Sequence, residues 1–153
     1  MKKNFGVVIF TVAMSAFLGC SAGKTEVDSQ ALANDLLNNI SYEDELTDIG
    51  LDTAKMIFNF QDASITEGYF YEGSGGTAEE IVVVKCSSTE DAKKVVTSLE
   101  TRVDEQIECF TDYVPKELEK LDTAIIQTVG DTVVLSVSND PKKAKEIIDS
   151  CTK

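Results

Sequence analysis

Four side chains on one stretch of the sequence have the types and the spacing to bind a ligand. Arg102, Gln106, Cys109 and Tyr113 step by 4, 3 and 4, the spacing that stacks residues on one face of a helix. A guanidinium fork beside an amide and a phenol can hold a carboxylate or a phosphate-bearing molecule through paired donors. Arg102, Gln106 and Tyr113 are therefore the candidate ligand-binding residues. The plainer alternative is that Arg102 pairs with a helical neighbour such as Glu105 or Glu100, and that Tyr113 is a rim residue with its hydroxyl satisfied.

Two other groupings carry weaker signals. Tyr69-Phe70-Tyr71 runs into Gly73-Ser74-Gly75-Gly76, which reads either as an aromatic strand leading to a recognition loop or as core packing followed by an ordinary hairpin loop. Strand alternation sends Phe70 to one face and both tyrosines to the other. The loop is no phosphate cradle, because it lacks the Walker lysine and leads into a strand. Glu43, Asp44, Glu45, Asp48 and Asp52 cluster after the first helix, and hard cations favour such oxygens. They have no EF-hand register, since Leu46 falls where the third-position ligand belongs if Asp44 is first. The expectation is a solvated acidic face, with no metal and no cofactor.

What is missing narrows the chemistry. The chain has 153 residues and no histidine, so a Ser-His-Asp triad, a Cys-His dyad and any site needing an imidazole are excluded. No catalytic residue is assigned. With 14 Lys plus Arg against 27 Asp plus Glu, a net charge of −13, and Arg102 as the one arginine, the surface lacks the basic patch that nucleic acid requires.

The elements that must position these residues follow from periodicity. Leu32, Leu36, Leu37 and Ile40 form one stripe of a helix over 29–40, capped by Asp28 or Ser29. A short second helix is expected over 53–58 after Asp52. Ile65–Glu72 and Ile81–Cys86 read as strands, the second more deeply buried because its apolar run is interrupted by Lys85 alone. Ser88 and Asp91 open a long helix whose apolar seam is Ala92, Val96, Leu99, Val103, Ile107, Phe110 and Val114, and Pro115 ends it. Strands over 124–129 and 133–138 flank a tight turn at Gly130-Asp131, where glycine supplies the positive φ of a type II′ hairpin. Asp140 caps a last helix that begins at Pro141 and carries Ala144, Ile147, Ile148 and Cys151 inward. The expected fold is α+β: a four-stranded, mainly antiparallel sheet, with the long central helix and the N- and C-terminal helices on one face.

The first residues read as an address. Lys2 and Lys3 precede 14 uncharged residues, Phe5 to Leu18, and then Gly19-Cys20-Ser21. Fourteen helical residues span roughly 21 Å, short of the ~30 Å hydrocarbon core, so a secretory signal is the better reading than a membrane-spanning helix. Phe17-Leu18-Gly19-Cys20 resembles a lipobox, with Phe17 where leucine is usual, which makes Cys20 the lipidated residue. The expected organisation is a signal peptide over 1–19, the lipidated cysteine and a tether over 20–28, and one domain over 29–153. Cleavage removes two lysines and no acid, leaving 12 basic against 27 acidic groups. A tether of this length reaches only about 15 Å as a coil. Such an acidic body is repelled by anionic headgroups, so the lipid on Cys20 holds it to the outer leaflet with the domain facing outward.

With Cys20 assigned to lipid, Cys86, Cys109 and Cys151 remain. About 20 helical residues, roughly 30 Å, separate Cys86 from Cys109, too far for a disulfide. Cys86 with Cys151 is the remaining pairing, set against a free thiol buried on the last helix's apolar stripe.

Taken in order, Thr77-Ala78-Glu79-Glu80-Ile81-Val82-Val83-Val84-Lys85, then Arg102, Gln106, Phe110, Tyr113, Pro115 and Glu117, then Val133-Val134-Leu135-Ser136-Val137-Ser138 resemble a domain-of-unknown-function family, number 4358, of surface lipoproteins from Gram-positive gut bacteria. The resemblance runs from about Leu32 to Ile148. It implies one α+β domain on the cell surface and no established activity. The functional expectation is a non-enzymatic module that binds an envelope protein, peptide or glycan. The alternatives are an envelope enzyme using carboxylates or a cysteine without histidine, and an accessory subunit of an envelope complex.

Overall fold

A computed structural model describes residues 26–151, so the signal segment, Cys20 and the start of the tether lie outside the described residues. The sheet is built outward from β3 (Glu80–Cys86) and β5 (Thr132–Val137), the two strands whose side chains are nearly all buried. Val82 and Val84 on one side and Ile81 and Val83 on the other are fully buried, and such a strand is stable only where both faces of the sheet are covered. β2 (Ile65–Glu72) pairs with β3, and β4 (Ile125–Val129) pairs with β5, in hairpin fashion. The full order is β1-β2-β3-β5-β4 with every pairing antiparallel.

Two expectations are corrected here. The sheet has five strands rather than four: β1, the two residues Thr47 and Asp48, pairs with Glu72 and Tyr71 at the edge of β2. Both residues are exposed, so β1 leaves no alternation in the sequence and exists only because β2 offers it an edge. The helices also cover both faces. α1 (Ser29–Asn39) and α5 (Pro141–Ser150) bury Leu32, Leu36, Ala144 and Ile148 against Ile81, Val83 and Val134. α2 (Gly50–Phe58), α3 (Thr89–Tyr113) and α4 (Leu118–Asp122) bury Phe58, Val95, Leu99 and Leu121 against Val82, Val84 and Leu135. The apolar run of β3 already demanded a second layer.

The local signals for the long elements hold. Asp28 accepts from the Ala31 amide at 2.9 Å, Ser88 from Asp91 at 3.1 Å and Asp140 from Lys143 at 2.9 Å, each satisfying an amide that the first helical turn leaves unpaired. Val114 ends α3 and Pro115 opens a 3-10 turn, Pro115–Glu117, that leads into α4. α2 begins at Gly50, earlier than the sequence suggests, because Asp48 Oδ1 takes the Gly50 amide at 2.8 Å. Gly130 sits at φ +64° in the two-residue turn between Val129 and Thr132. In β2, Phe70 folds its ring over Gly68, where a Cβ would lie 2.6 Å from the ring. Phe70 meets Phe58 and Phe60 with centroids 6.0 and 5.9 Å away. Among the described residues no helix is long and apolar enough to cross a membrane.

Candidate functional site

The site follows from how the chain enters its central strand. β3 is pulled to the middle of the sheet by its valines, and the residues leading into it, Glu79 and Glu80, are pulled under cover with it; they are 2% and 1% exposed. Alternation points Glu80 to the side of Val82 and Val84, toward α3, and sends Glu79 away from it. Two adjacent carboxylates thus enter separate surroundings.

Glu80 Oε2 accepts from Arg102 Nε at 3.1 Å, Arg102 Nη2 at 2.8 Å and Gln106 Nε2 at 2.9 Å. Arg102 Nη2 also reaches Glu72 Oε1 at 3.5 Å. Glu72 is the cross-strand partner of Glu80, a like-charge pairing that destabilises a sheet and that the guanidinium between them relieves. The Phe58 ring lies 5.5 Å from Arg102 Cζ and supports the guanidinium through its π face. Burial pushes the Glu80 carboxyl up to about 7, Arg102 pulls against that rise, and Glu72 adds to it. Two buried acceptors, Glu80 Oε1 and Gln106 Oε1, have no hydrogen-bond partner among the described residues. Their residues line a cavity of about 210 Å³ together with Glu72, Arg102, Cys109 and the glycine loop at Gly73 and Gly75.

Glu79 has donors on both of its oxygens, although Glu117 Oε1 in the same cluster, like the two atoms at the cavity, has no hydrogen-bond partner among the described residues. Glu79 Oε2 accepts from the Glu43 and Asp44 amides at 2.8 and 3.0 Å, and its Oε1 from Asn139 at 3.2 Å. Lys120 Nζ stands 3.2 Å from Glu79 and 2.9 Å from Glu117, and Glu117 takes the Ala78 amide at 2.9 Å. Burial alone would lower the Lys120 pKa, but Glu117 and Glu79 outweigh it and hold the ammonium above its ordinary value. The cluster ties the loop after α1, the entry to β3, α4 and the end of β5 together, and so fixes the wall of the cavity at Thr77.

The structure brings together three of the four residues in the predicted strip. Arg102, Gln106 and Cys109 face the cavity, but Tyr113 is 67% exposed and packs on Phe110 at 6.3 Å. Eleven residues carry Tyr113 roughly 16 Å along the helix from Arg102, beyond the cavity. Arg102 turns to Glu80 and Glu72 on the sheet instead of its helical neighbours Glu105 and Glu100. The alternation in β2 is as expected: Phe70 enters the α3 side, and Tyr69 and Tyr71 pack on the other. The glycine loop adjoins the cavity. Of the acidic run, Asp44 accepts from the Ser74 amide and hydroxyl at 2.7 and 2.6 Å, which holds its pKa below the usual carboxylate range. Asp48 accepts the Gly50 amide just before α2 at 2.8 Å, and Glu43 pairs with Lys116 and Lys120 at 3.2 and 3.4 Å.

Cys86, Cys109 and Cys151 are free thiols. Cys86 belongs to the core on the α3 side and Cys151 packs on the α1 side, so the sheet separates the pair that the sequence leaves possible. Sequence reasoning missed Glu80, Glu72, Glu79, Glu117 and Lys120 as site residues. The available signal was a pair of glutamates directly before a wholly apolar strand, a position where burial forces each to find a cation.

A family model described as a domain of unknown function, DUF4358, matches residues 38–138. A search of curated proteins found no match, and neither did a search of solved structures. The matched span contains all five strands, the cavity and both glutamate clusters apart from Asn139. The chain belongs to the DUF4358 family.

Proposed function

We propose that this protein is a lipid-anchored, non-enzymatic binding module of the cell envelope, held to the outer leaflet through Cys20, with the Arg102 cavity as its binding site. The Gram-positive surface lipoproteins that the sequence resembles support the location, as does the lipobox-like Phe17-Leu18-Gly19-Cys20. The observation that carries the binding role is the cavity: two buried acceptors without partners, Glu80 Oε1 and Gln106 Oε1, border about 210 Å³ of open space. Buried polar atoms ordinarily have partners, and convergent polar groups in a concave site are what fix a ligand's orientation. Its size, about seven waters at ~30 Å³ each, suits a small molecule or one side chain of an envelope peptide, protein or glycan.

Recovery of partners from envelope extract on the full-length protein tests this reading. Arg102→Ala, which removes the guanidinium that holds the Glu80 and Glu72 carboxylates in place, should change recovery at least tenfold, and unchanged recovery removes the site. Mass spectrometry of the mature N-terminus should find a diacylglyceryl group on Cys20; an intact residue 1 or an unmodified cysteine removes the anchor.

A second reading, carboxylate catalysis on an envelope glycan or peptide, draws on Glu80, whose raised carboxyl shares the cavity with Glu72 in the manner of paired acids. It requires turnover of cell-wall fragments by the wild type that Glu80→Gln abolishes.

A further inference from the structure

The atoms left without partners around the cavity are of one kind. Glu80 Oε1 and Gln106 Oε1 are both acceptors. The orientation of the Gln106 amide is set by its own contact, since Nε2 must face the Glu80 carboxylate at 2.9 Å and the oxygen is thereby turned away. With Glu80 ionised, a ligand that completes this site donates hydrogen bonds to both oxygens.

The charge of the lining has the same consequence. Glu72, Glu80 and Glu105 stand against the single cation Arg102 in the lining, Glu79 being turned away and met by Lys120. That cation is already engaged by Glu80 at 2.8 Å and Glu72 at 3.5 Å. An entering carboxylate or phosphate would meet three acids and a guanidinium whose Nε and Nη2 are already engaged by carboxylates. The anion that the sequence pattern favoured is therefore the wrong charge for the site that the fold builds.

We infer that the cavity takes a primary ammonium group, carried on a small molecule or on one side chain, which donates to Glu80 Oε1 and Gln106 Oε1. This rests on the reading of the cavity as a binding site and names what binds there. A divalent cation fits less well. Arg102 holds its charge against the other oxygen of the same carboxylate, and among the described residues no group of three or more His, Cys, Asp or Glu is arranged around a metal position. A neutral hydroxyl could donate, but it would leave the excess of carboxylates uncompensated.

A cation beside Glu80 also favours its ionised form, so binding is coupled to a proton. The titratable groups around Glu80 are Arg102, Glu105 and Cys109 on α3 and Glu72 on β2, with Glu79 preceding it and the apolar Val137 opposite on β5. With the free carboxyl at about 7, binding at pH 7 should release roughly half a proton, and affinity should rise between pH 6 and pH 8.

The test uses the full-length protein in detergent with three probes: 1,5-diaminopentane, its N,N′-diacetyl derivative and calcium chloride. Calorimetry in two buffers of unlike ionisation heat counts the protons, and amide NMR shifts at Gly73, Gly75 and Gln106 locate binding. The diamine should shift those amides, release protons, and bind about tenfold or more tightly than the diacetyl form, the factor of a charge-assisted hydrogen bond. Glu80→Gln should abolish that preference. Gln106→Leu, which leaves the Glu80–Arg102 pair in place, should weaken the diamine in the same sense. Equal binding of the two organic probes at these amides overturns the ammonium while leaving the cavity a binding site. Calcium shifting the amides where the diamine does not overturns it in favour of a metal. No shift with any probe removes both readings.

Discussion

Glu80 gives the protein a pH dependence of stability opposite to that of most paired carboxylates, and Glu80→Gln should remove it. Burial holds the folded-state carboxyl at about 7, against 4.5 for an unperturbed glutamate. The folded protein therefore binds the Glu80 proton more tightly than the unfolded chain does. The stabilisation this gives is complete below about pH 4.5, declines as the pH rises, and is gone once the pH passes the folded value near 7. Between pH 5 and pH 8 the two titration curves differ by about 2 to 3 kcal/mol, less stable at pH 8. Urea unfolding followed by circular dichroism, for wild type and Glu80→Gln at both pH values, isolates this contribution. The other titrating groups are common to both proteins and cancel to first order. The wild type should lose about 2 to 3 kcal/mol more than the variant over that interval. Parallel behaviour within about 0.5 kcal/mol would refute the claim that burial outweighs Arg102 at this carboxyl.

Three further outcomes test the rest of the structure. Lys120→Ala leaves Glu79 and Glu117 buried without their cation and should cost about 3 to 5 kcal/mol in urea unfolding; a loss under about 1 kcal/mol would mean that the cluster is solvated. Gly68→Ala puts a methyl 2.6 Å from the buried Phe70 ring and should cost about 1 to 3 kcal/mol by thermal unfolding, whereas a neutral effect would place Phe70 elsewhere. Brief iodoacetamide treatment followed by peptide mapping should label exposed Cys109 well before Cys86, whose thiol burial pushes up to about 11; comparable labelling of the two would contradict the α3 packing.

The long elements were legible because they repeat a local signal. The cap residues Asp28, Ser88 and Asp140 and the turn at Gly130 are each decided within a few residues of sequence, and the structure uses them in those roles. The α3 stripe is shifted: Ala92, Leu99 and Phe110 are buried as expected, but Val95, Ser98 and Gln106 are buried while Val96, Val103, Ile107 and Val114 only flank the core. β1 was illegible because two exposed residues have no periodicity to read. The second helical layer could have been inferred from the central strands, since an unbroken Ile81–Val84 leaves no face for water. Arg102 and Gln106 were found by helical spacing, but their partners Glu80 and Glu72 lie 22 and 30 residues away, a distance at which only the strand register brings them together. Spacing placed Tyr113 in the same row, although position along a helix, as well as direction around it, decides what a residue can reach.

Glu79 and Glu80 make a comparison within one molecule. Both are buried, both are met by a cation, and they are adjacent in sequence. Glu79 has donors on both oxygens from Glu43, Asp44 and Asn139, with Lys120 beside it, the full set of partners that a structural carboxylate needs to offset its lost hydration. Glu80 has three donors on one oxygen and none on the other, and its neighbour Gln106 also ends in an acceptor without a donor. Packing alone offers no reason for that asymmetry, because a leucine at position 80 with an apolar residue at 102 would fill the space without any charge to satisfy. An incomplete set of donors on a buried carboxylate that faces open space is what the proposed binding role requires of Glu80.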